Sequence, residues 1–167
     1  MAMALFEIGS EVFETLPKLC VGLVYAEGFD NTQPSAVAER ALSDAIADAE
    51  RRLAGIKASE DPRVQPYRAA FHALGMSPSR YPSSNIALLR RVAKGKGLRR
   101  INALVDLGNA VSIAHGLPLG VHVMGSPTSA LELRMSREGD VFVPLGSDEA
   151  DPTLAPGELV YAEGNLV

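Results

Sequence analysis

Three polar residues, Asn102, Asp106 and Asn109, recur at intervals of four and three within an otherwise apolar run, INALVDLGNAVSIAHGLPLGVHVMG over 101–125. On a helix this spacing sets them on one face. Such a face can orient a polar substrate or a water. It can equally serve structure, with Asn102 and Asp106 capping the helix and Asn109 satisfying a neighbouring loop. Gly108 sits among them, and a mid-helix glycine costs roughly 1 kcal/mol relative to alanine. That cost is often met where another backbone or a ligand must come close. His122 follows in an alternating run, opposite Val121 and Val123. It is a stronger candidate for chemistry than His115, which belongs at a helix C-terminus where the dipole favours it. An ordinary strand histidine is the alternative.

Other chemistries are poorly supplied. Three histidines and one cysteine show no metal-ligand spacing, and there is no H-x-E or C-x-x-C. The fingerprints G-x-x-x-x-G-K-[ST], G-x-G-x-x-G and G-x-S-x-G are absent. The KGKG run at 94–97 follows a helical pattern rather than a strand, which argues against a nucleotide loop. No cofactor and no metal are expected. Cys20, in LPKLCVGLVYA, is expected to be a buried strand residue rather than a nucleophile.

Charge is distributed unevenly. The chain has 167 residues and a net charge of −4, yet from Pro62 to Val105 there is no Asp or Glu. That block holds Arg63, Arg68, Arg80, Arg90, Arg91, Lys94, Lys96, Arg99 and Arg100, nine of the sixteen basic residues. One basic block in an acidic protein points to a local polyanion contact, with a solvated surface balanced by acids in space as the alternative. The composition, 47% hydrophobic and 22% charged, is that of a soluble globular protein. No apolar run approaches the ~20 residues that span a bilayer. The N-terminus lacks a basic n-region, and one cysteine suits a reducing compartment; a cytoplasmic location is expected.

The elements that must position these groups read as follows. Phe6–Val12 and Leu19–Ala26 are strands by pattern. Ser35 caps a helix to Arg52, with Val37, Ala41, Ala45 and Ala49 at helical spacing. Pro62–Leu74 is a second helix with Val64, Tyr67, Phe71 and Leu74 inward, stopped at Gly75. Ser83 or Ser84 caps a third, to about Lys94, broken by Gly95 and Gly97. Asn102 caps the fourth. Leu104, Leu107, Val111 and Ala114 form its apolar face, and Gly116 and Pro118 end it. The 117–125 run is a strand. Leu131–Ser136 and Val141–Leu145 flank a Glu138-Gly139-Asp140 turn and read as a hairpin. Glu158–Ala162 is a last strand. No repeat or linker interrupts the chain, so one domain over 1–167 is expected.

The run from Ser84 to Val111 resembles the B3/B4 domain of the phenylalanyl-tRNA synthetase beta subunit. The matching pieces are Arg91-Val92, Gly97-Leu98-Arg99-Arg100-Ile101-Asn102, Leu104-Val105-Asp106 and Gly108-Asn109, extending to Gly116-Leu117-Pro118-Leu119. The likeness is closer to free-standing B3/4-domain proteins, through Tyr67 to Gly75 and Pro82–Ser84. About 100 residues are covered. The resemblance implies an α+β fold, a mixed sheet with packed helices around a deep pocket. It implies tRNA as partner and hydrolysis of misacylated aminoacyl-tRNA in trans, an ester hydrolase needing positioned water and oxyanion donors. Asn109 would orient substrate or water, Asn102 and Asp106 would support it, and His122 would assist. The family's Thr-Asn pair is Gly108-Asn109 here, and a family histidine falls on Gly120, so Gly108 and Gly120 carry over only as pocket walls. Arg90, Arg91, Lys94, Lys96, Arg99 and Arg100 would hold tRNA phosphates. The rival readings are a non-catalytic RNA or amino-acid binding module that kept the fold, and an interaction protein. The family usually continues beyond the equivalent of Val167, so a truncated or unusually short chain is expected.

Overall fold

The computed structural model describes residues 5–123, 130–144, 146–151 and 154–167. The backbone divides into two compact units, Leu23–His122 and a second made of Met1–Gly22 with Val123–Val167. The expected α+β class holds, with helices and a mixed three-stranded sheet among the described residues.

The helical unit is built on α2 (Ala36–Arg52) and α5 (Ala103–His115). Ser35 caps α2 as its sequence predicts, its Oγ accepting from the Ala38 N–H at 3.3 Å. Three contacts show that the two helices run in the same direction. The Leu104 N–H donates to Asn31 Oδ1 at 3.0 Å, and Arg100 Nη2 donates to the Glu39 carbonyl at 2.9 Å, both at the N-terminal ends. At the other end Arg52 Nη2 donates to the Ile113 carbonyl at 3.3 Å. Alanines on both helices, Ala45, Ala49 and Ala110, let them approach, and Leu42, Ile86 and Ile113 fill the core around them. The expected second helix is split: a 3₁₀ turn (Pro62–Val64), whose Val64 is fully buried, leads into α3 (Gln65–Ala73). Gly75, at φ 72°, ends α3 in a Schellman turn, with Gly75 N–H on the His72 carbonyl and Met76 N–H on the Phe71 carbonyl. Gly95 ends α4 (Ser84–Ala93) the same way, through Val92 and Arg91.

The face of α5 differs from expectation by one residue. Ala103, Asp106, Ala110 and Ile113 are the buried stripe, in place of Leu104, Leu107, Val111 and Ala114. The spacing is the same and the helix is turned by about 100°. Apolar residues surround α5 almost completely, so periodicity alone chose poorly; close packing on α2 selects the small side chains. Leu107 and Val111, 41% and 37% exposed, instead line a shallow groove of about 490 Å³ with Ala41, Asp44 and Asp48 of α2.

In the other unit, β1 (Phe6–Ile8) pairs in parallel with β2 (Leu131–Met135), Phe6 opposite Leu131, and β2 pairs antiparallel with β3 (Leu159–Glu163). Gly9 then turns the chain into α1 (Ser10–Thr15), where a longer strand was expected. The expected hairpin does not form. Both hydrogen-bonding edges of β2 are taken, by β1 and β3, so Val141 and Phe142 make only isolated bridges, to Leu166 and Asp151. The turn is held instead by Arg134, almost wholly buried, whose guanidinium grips Asp140 in two bonds of 2.6 and 2.8 Å and donates to the Gly164 carbonyl. Its Nε lies 3.2 Å from Glu132 Oε2 but outside hydrogen-bond geometry.

Two expected strands, 19–26 and 117–123, are not strands in the described residues. A β pattern supplies a face but not a neighbouring edge, and neither segment has one among the described residues. Val24 is 96% exposed, and Cys20, expected to be buried, is exposed as well. Residues 124 and 125 of the second run and Leu145 of the expected hairpin lie outside the described residues.

Candidate functional site

The start of α5 is a closed polar arrangement. Asn102 is the N-cap, extended at φ −159°, and its Oδ1 accepts from the Val105 N–H at 2.9 Å. Asp106 reaches back so that its Oδ1 accepts from the Ile101 N–H at 3.2 Å. Arg100 Nη1 lies 3.7 Å from Asp106 Oδ2, while its Nη2 donates to the Glu39 carbonyl and to Ser43 Oγ. Asn102 therefore satisfies one orphan donor of the helix start, Asp106 fixes the chain entering it, and Arg100 ties that start to α2. Asn109, one turn further on, is half-buried, and its side-chain amide makes no hydrogen bond within the described residues.

Gly108 answers to its own chain. The 117–121 segment folds back along α5, and a Cβ on Gly108 would lie 3.0 Å from Leu119 Cδ2 and 3.6 Å from Val121 Cγ2. A Cβ on Gly120 would lie 3.1 Å from His122 Nε2. Both Gly120 and His122 are exposed, and His122 keeps an interaction of its own. The structure thus places Asn102 with Asp106, Gly108 with Leu119 and Val121, and Gly120 with His122.

The C-terminal end of α5 carries a buried network that the sequence reading missed. Asn85 Oδ1 accepts from Ser83 Oγ and from the Ile86 N–H, and its Nδ2 donates to the Gly116 carbonyl. Asp61, buried, pairs with Arg63 and with Arg52 at 3.4 Å. Those two arginines donate onward to the Ala114 and Ile113 carbonyls, neutralising the negative end of the helix. The Arg63 guanidinium holds the Asp61 carboxyl at a pKa of about 2. The available signals were Asp61 before Pro62, an N-cap pattern, and Asn85 inside a helix start.

Cations gather at the far end of α4. Arg90 and Arg91 lie in its last turn, and Lys94, Lys96 and Arg99 follow in the loop. None of these five has a carboxylate within ion-pair distance among the described residues, and all but the half-buried Arg90 are exposed. Among the described residues no group of three or more His, Cys, Asp or Glu could hold a metal ion. No described helix is long and apolar enough to cross a membrane.

The B3/4 domain model matches residues 66–167, from α3 through β3, and the chain belongs to the B3/4 domain family. This is the family to which Ser84–Val111 carries its resemblance. Membership supports a tRNA-binding module like that of the phenylalanyl-tRNA synthetase beta subunit and a nucleic-acid partner. Neither the curated proteins nor the solved structures give a significant match.

Proposed function

We propose that this protein is a tRNA-binding module that grips the phosphate backbone with the cations at the end of α4. The observation that carries this reading is that Arg90, Arg91, Lys94, Lys96 and Arg99 have no carboxylate partners among the described residues. Cations left unpaired in an acidic protein remain available to phosphates, and each phosphate neutralised releases counterions. Arg100 serves as a strut between α5 and α2 rather than as a phosphate contact. The test is tRNA affinity measured over a range of salt concentrations. Affinity falling steeply with salt, and weakening in Lys94→Ala/Lys96→Ala, supports the reading; salt-independent binding or an unaffected double variant removes it.

A second reading, hydrolysis of misacylated aminoacyl-tRNA in trans, is favoured by Asn109, whose amide makes no hydrogen bond among the described residues and could orient a water or the ester carbonyl. His122 would assist from the returning segment, with Gly108 and Gly120 as walls. Asn102 and Asp106 hold the helix start that aims Asn109. Deacylation of a panel of misacylated tRNAs, lost in Asn109→Ala, is the expected outcome; no deacylation of any member leaves the binding module alone.

A further inference from the structure

The loop between α3 and α4 carries an exposed aromatic with a basic companion that the phosphate contacts do not use. Tyr81 is 47% exposed, and the Arg80 guanidinium carbon lies 5.2 Å from the centre of its ring. Arg80 has no carboxylate partner among the described residues. An arginine over an exposed tyrosine contributes only ~0.5–1 kcal/mol to folding. Fold stability is therefore a weak reason for a ring to remain this open.

The loop is tied down by its own backbone and by its ends. The Ser77 carbonyl accepts from both the Arg80 N–H, at 3.1 Å, and the Tyr81 N–H, at 2.8 Å. Pro78 is fully buried beneath it, and the Schellman turn at Gly75 fixes its entry. On the exit side Pro82 restricts the backbone, and buried Ser83 is bonded to Asn85. A ring carried on a constrained backbone costs less entropy when it binds a flat partner.

Position supplies the partner. Tyr81 lies just before the N-terminus of α4, and the exposed Ser84, Arg91 and Lys94 then follow at helical spacing. Ten residues of helix span about 15 Å. A stacked strand rises about 3.4 Å per nucleotide, so that distance corresponds to roughly four or five nucleotides. Nothing acidic occurs in the sequence between the two ends. We infer that Tyr81, flanked by Arg80, is a stacking platform for an unpaired base of an RNA strand whose phosphates run toward Lys94 and Lys96. Stacking on an aromatic face tolerates any base, and cation–π contact from the arginine adds to it.

This rests on the RNA-binding reading above, and the test separates the two. The full chain is titrated with a short single-stranded RNA and with a fully paired RNA duplex of equal length. Tyr81→Ala is expected to weaken single-strand binding about 5- to 100-fold. It should leave the duplex and the salt slope unchanged, because stacking releases no counterions. Tyr81→Phe should bind as the unmodified protein does, and Tyr81→Leu, which keeps bulk but not the ring, should bind as poorly as the alanine variant. Equal single-strand affinity in all three variants overturns the platform while leaving the phosphate contacts standing, provided Lys94→Ala/Lys96→Ala still weakens binding. Loss of duplex and single-strand binding together in Tyr81→Ala also overturns it, since that outcome marks a damaged fold. An unmodified protein that binds tRNA but not the single strand overturns the platform alone, and one that binds neither these RNAs nor tRNA removes both readings.

Discussion

Asn85 donates its side-chain amide to the Gly116 carbonyl at 2.5 Å, joining the start of α4 to the end of α5 across thirty-one positions of sequence. The same side chain takes in Ser83 Oγ and the Ile86 N–H, so all its hydrogen-bonding partners lie inside the fold. Removing a buried partner leaves the others unsatisfied, at about 1–3 kcal/mol. Asn85→Ala should lower unfolding stability by about that amount, read as a drop in the urea midpoint at unchanged slope. Asn85→Asp should be at least as harmful, because a carboxylate would face the Gly116 carbonyl.

Gly108 and Gly116 should respond oppositely to alanine. Gly116 has φ 69°, and a Cβ there would meet Arg63 Cβ at 2.8 Å, so Gly116→Ala combines a left-handed backbone with a clash. It should destabilise by more than 1 kcal/mol. Gly108 has ordinary helical geometry, and its nearest neighbour is the tip of the partly exposed Leu119 side chain. Leu119 can turn aside, so Gly108→Ala should be neutral or stabilise by up to about 1 kcal/mol through helix propensity. Thermal melts of the two variants decide it; a strongly destabilised Gly108→Ala would mean that the returning segment cannot move.

Those two glycines also show where the sequence was legible. Caps and stops were readable because they depend on a few local residues: Ser35, Asn102, Gly75, Gly95 and Gly116 all act where the sequence placed them. Asn102 and Asp106 are local too, and their capping use was one of the two readings that the spacing allowed. Facing and pairing were harder to read. The stripe of α5 lies one residue away because alanines, not leucines, face α2. The pairing of β2 with β3 crosses a gap that no turn motif announces. The Asn85–Gly116 and Asp61–Arg63 contacts join segments far apart in sequence or hide in a short cap, so nothing periodic reveals them.

Acid should loosen both units over the same range. Arg63 beside Asp61 and Arg134 beside Asp140 each hold the carboxyl at a pKa of about 2, against an ordinary value of 3.8. A carboxylate with a lowered folded pKa adds stability that is fully present above pH ~4 and is lost as pH falls toward ~2. Urea midpoints measured from pH 6 to pH 2 should therefore stay level to about pH 4 and then decline. Asp61→Asn and Asp140→Asn should each lower the plateau and flatten the decline. A decline centred well above pH 4, unchanged in both variants, would assign acid sensitivity to other groups.

The last prediction separates two kinds of arginine and lysine within one basic block. Arg100 is engaged three times, by the Glu39 carbonyl, Ser43 Oγ and Asp106, and so links the start of α5 to α2. Lys94 and Lys96 are exposed and engaged by no carboxylate among the described residues. Each phosphate contact to a single strand contributes about 0.7 to the slope of log affinity against log salt, and about 0.9 on duplex. Lys94→Ala/Lys96→Ala should therefore flatten that slope for tRNA by about 1.4–1.8 and leave the urea midpoint where it is. Arg100→Ala should do the reverse. It should lower unfolding stability by about 1–3 kcal/mol, the loss of charged hydrogen bonds, read as a drop in the urea midpoint with the salt slope unchanged. If Arg100→Ala flattens the slope as much as one lysine does, Arg100 contacts phosphate and its strut role is secondary. If both variants leave the slope intact, the polyanion meets the protein elsewhere.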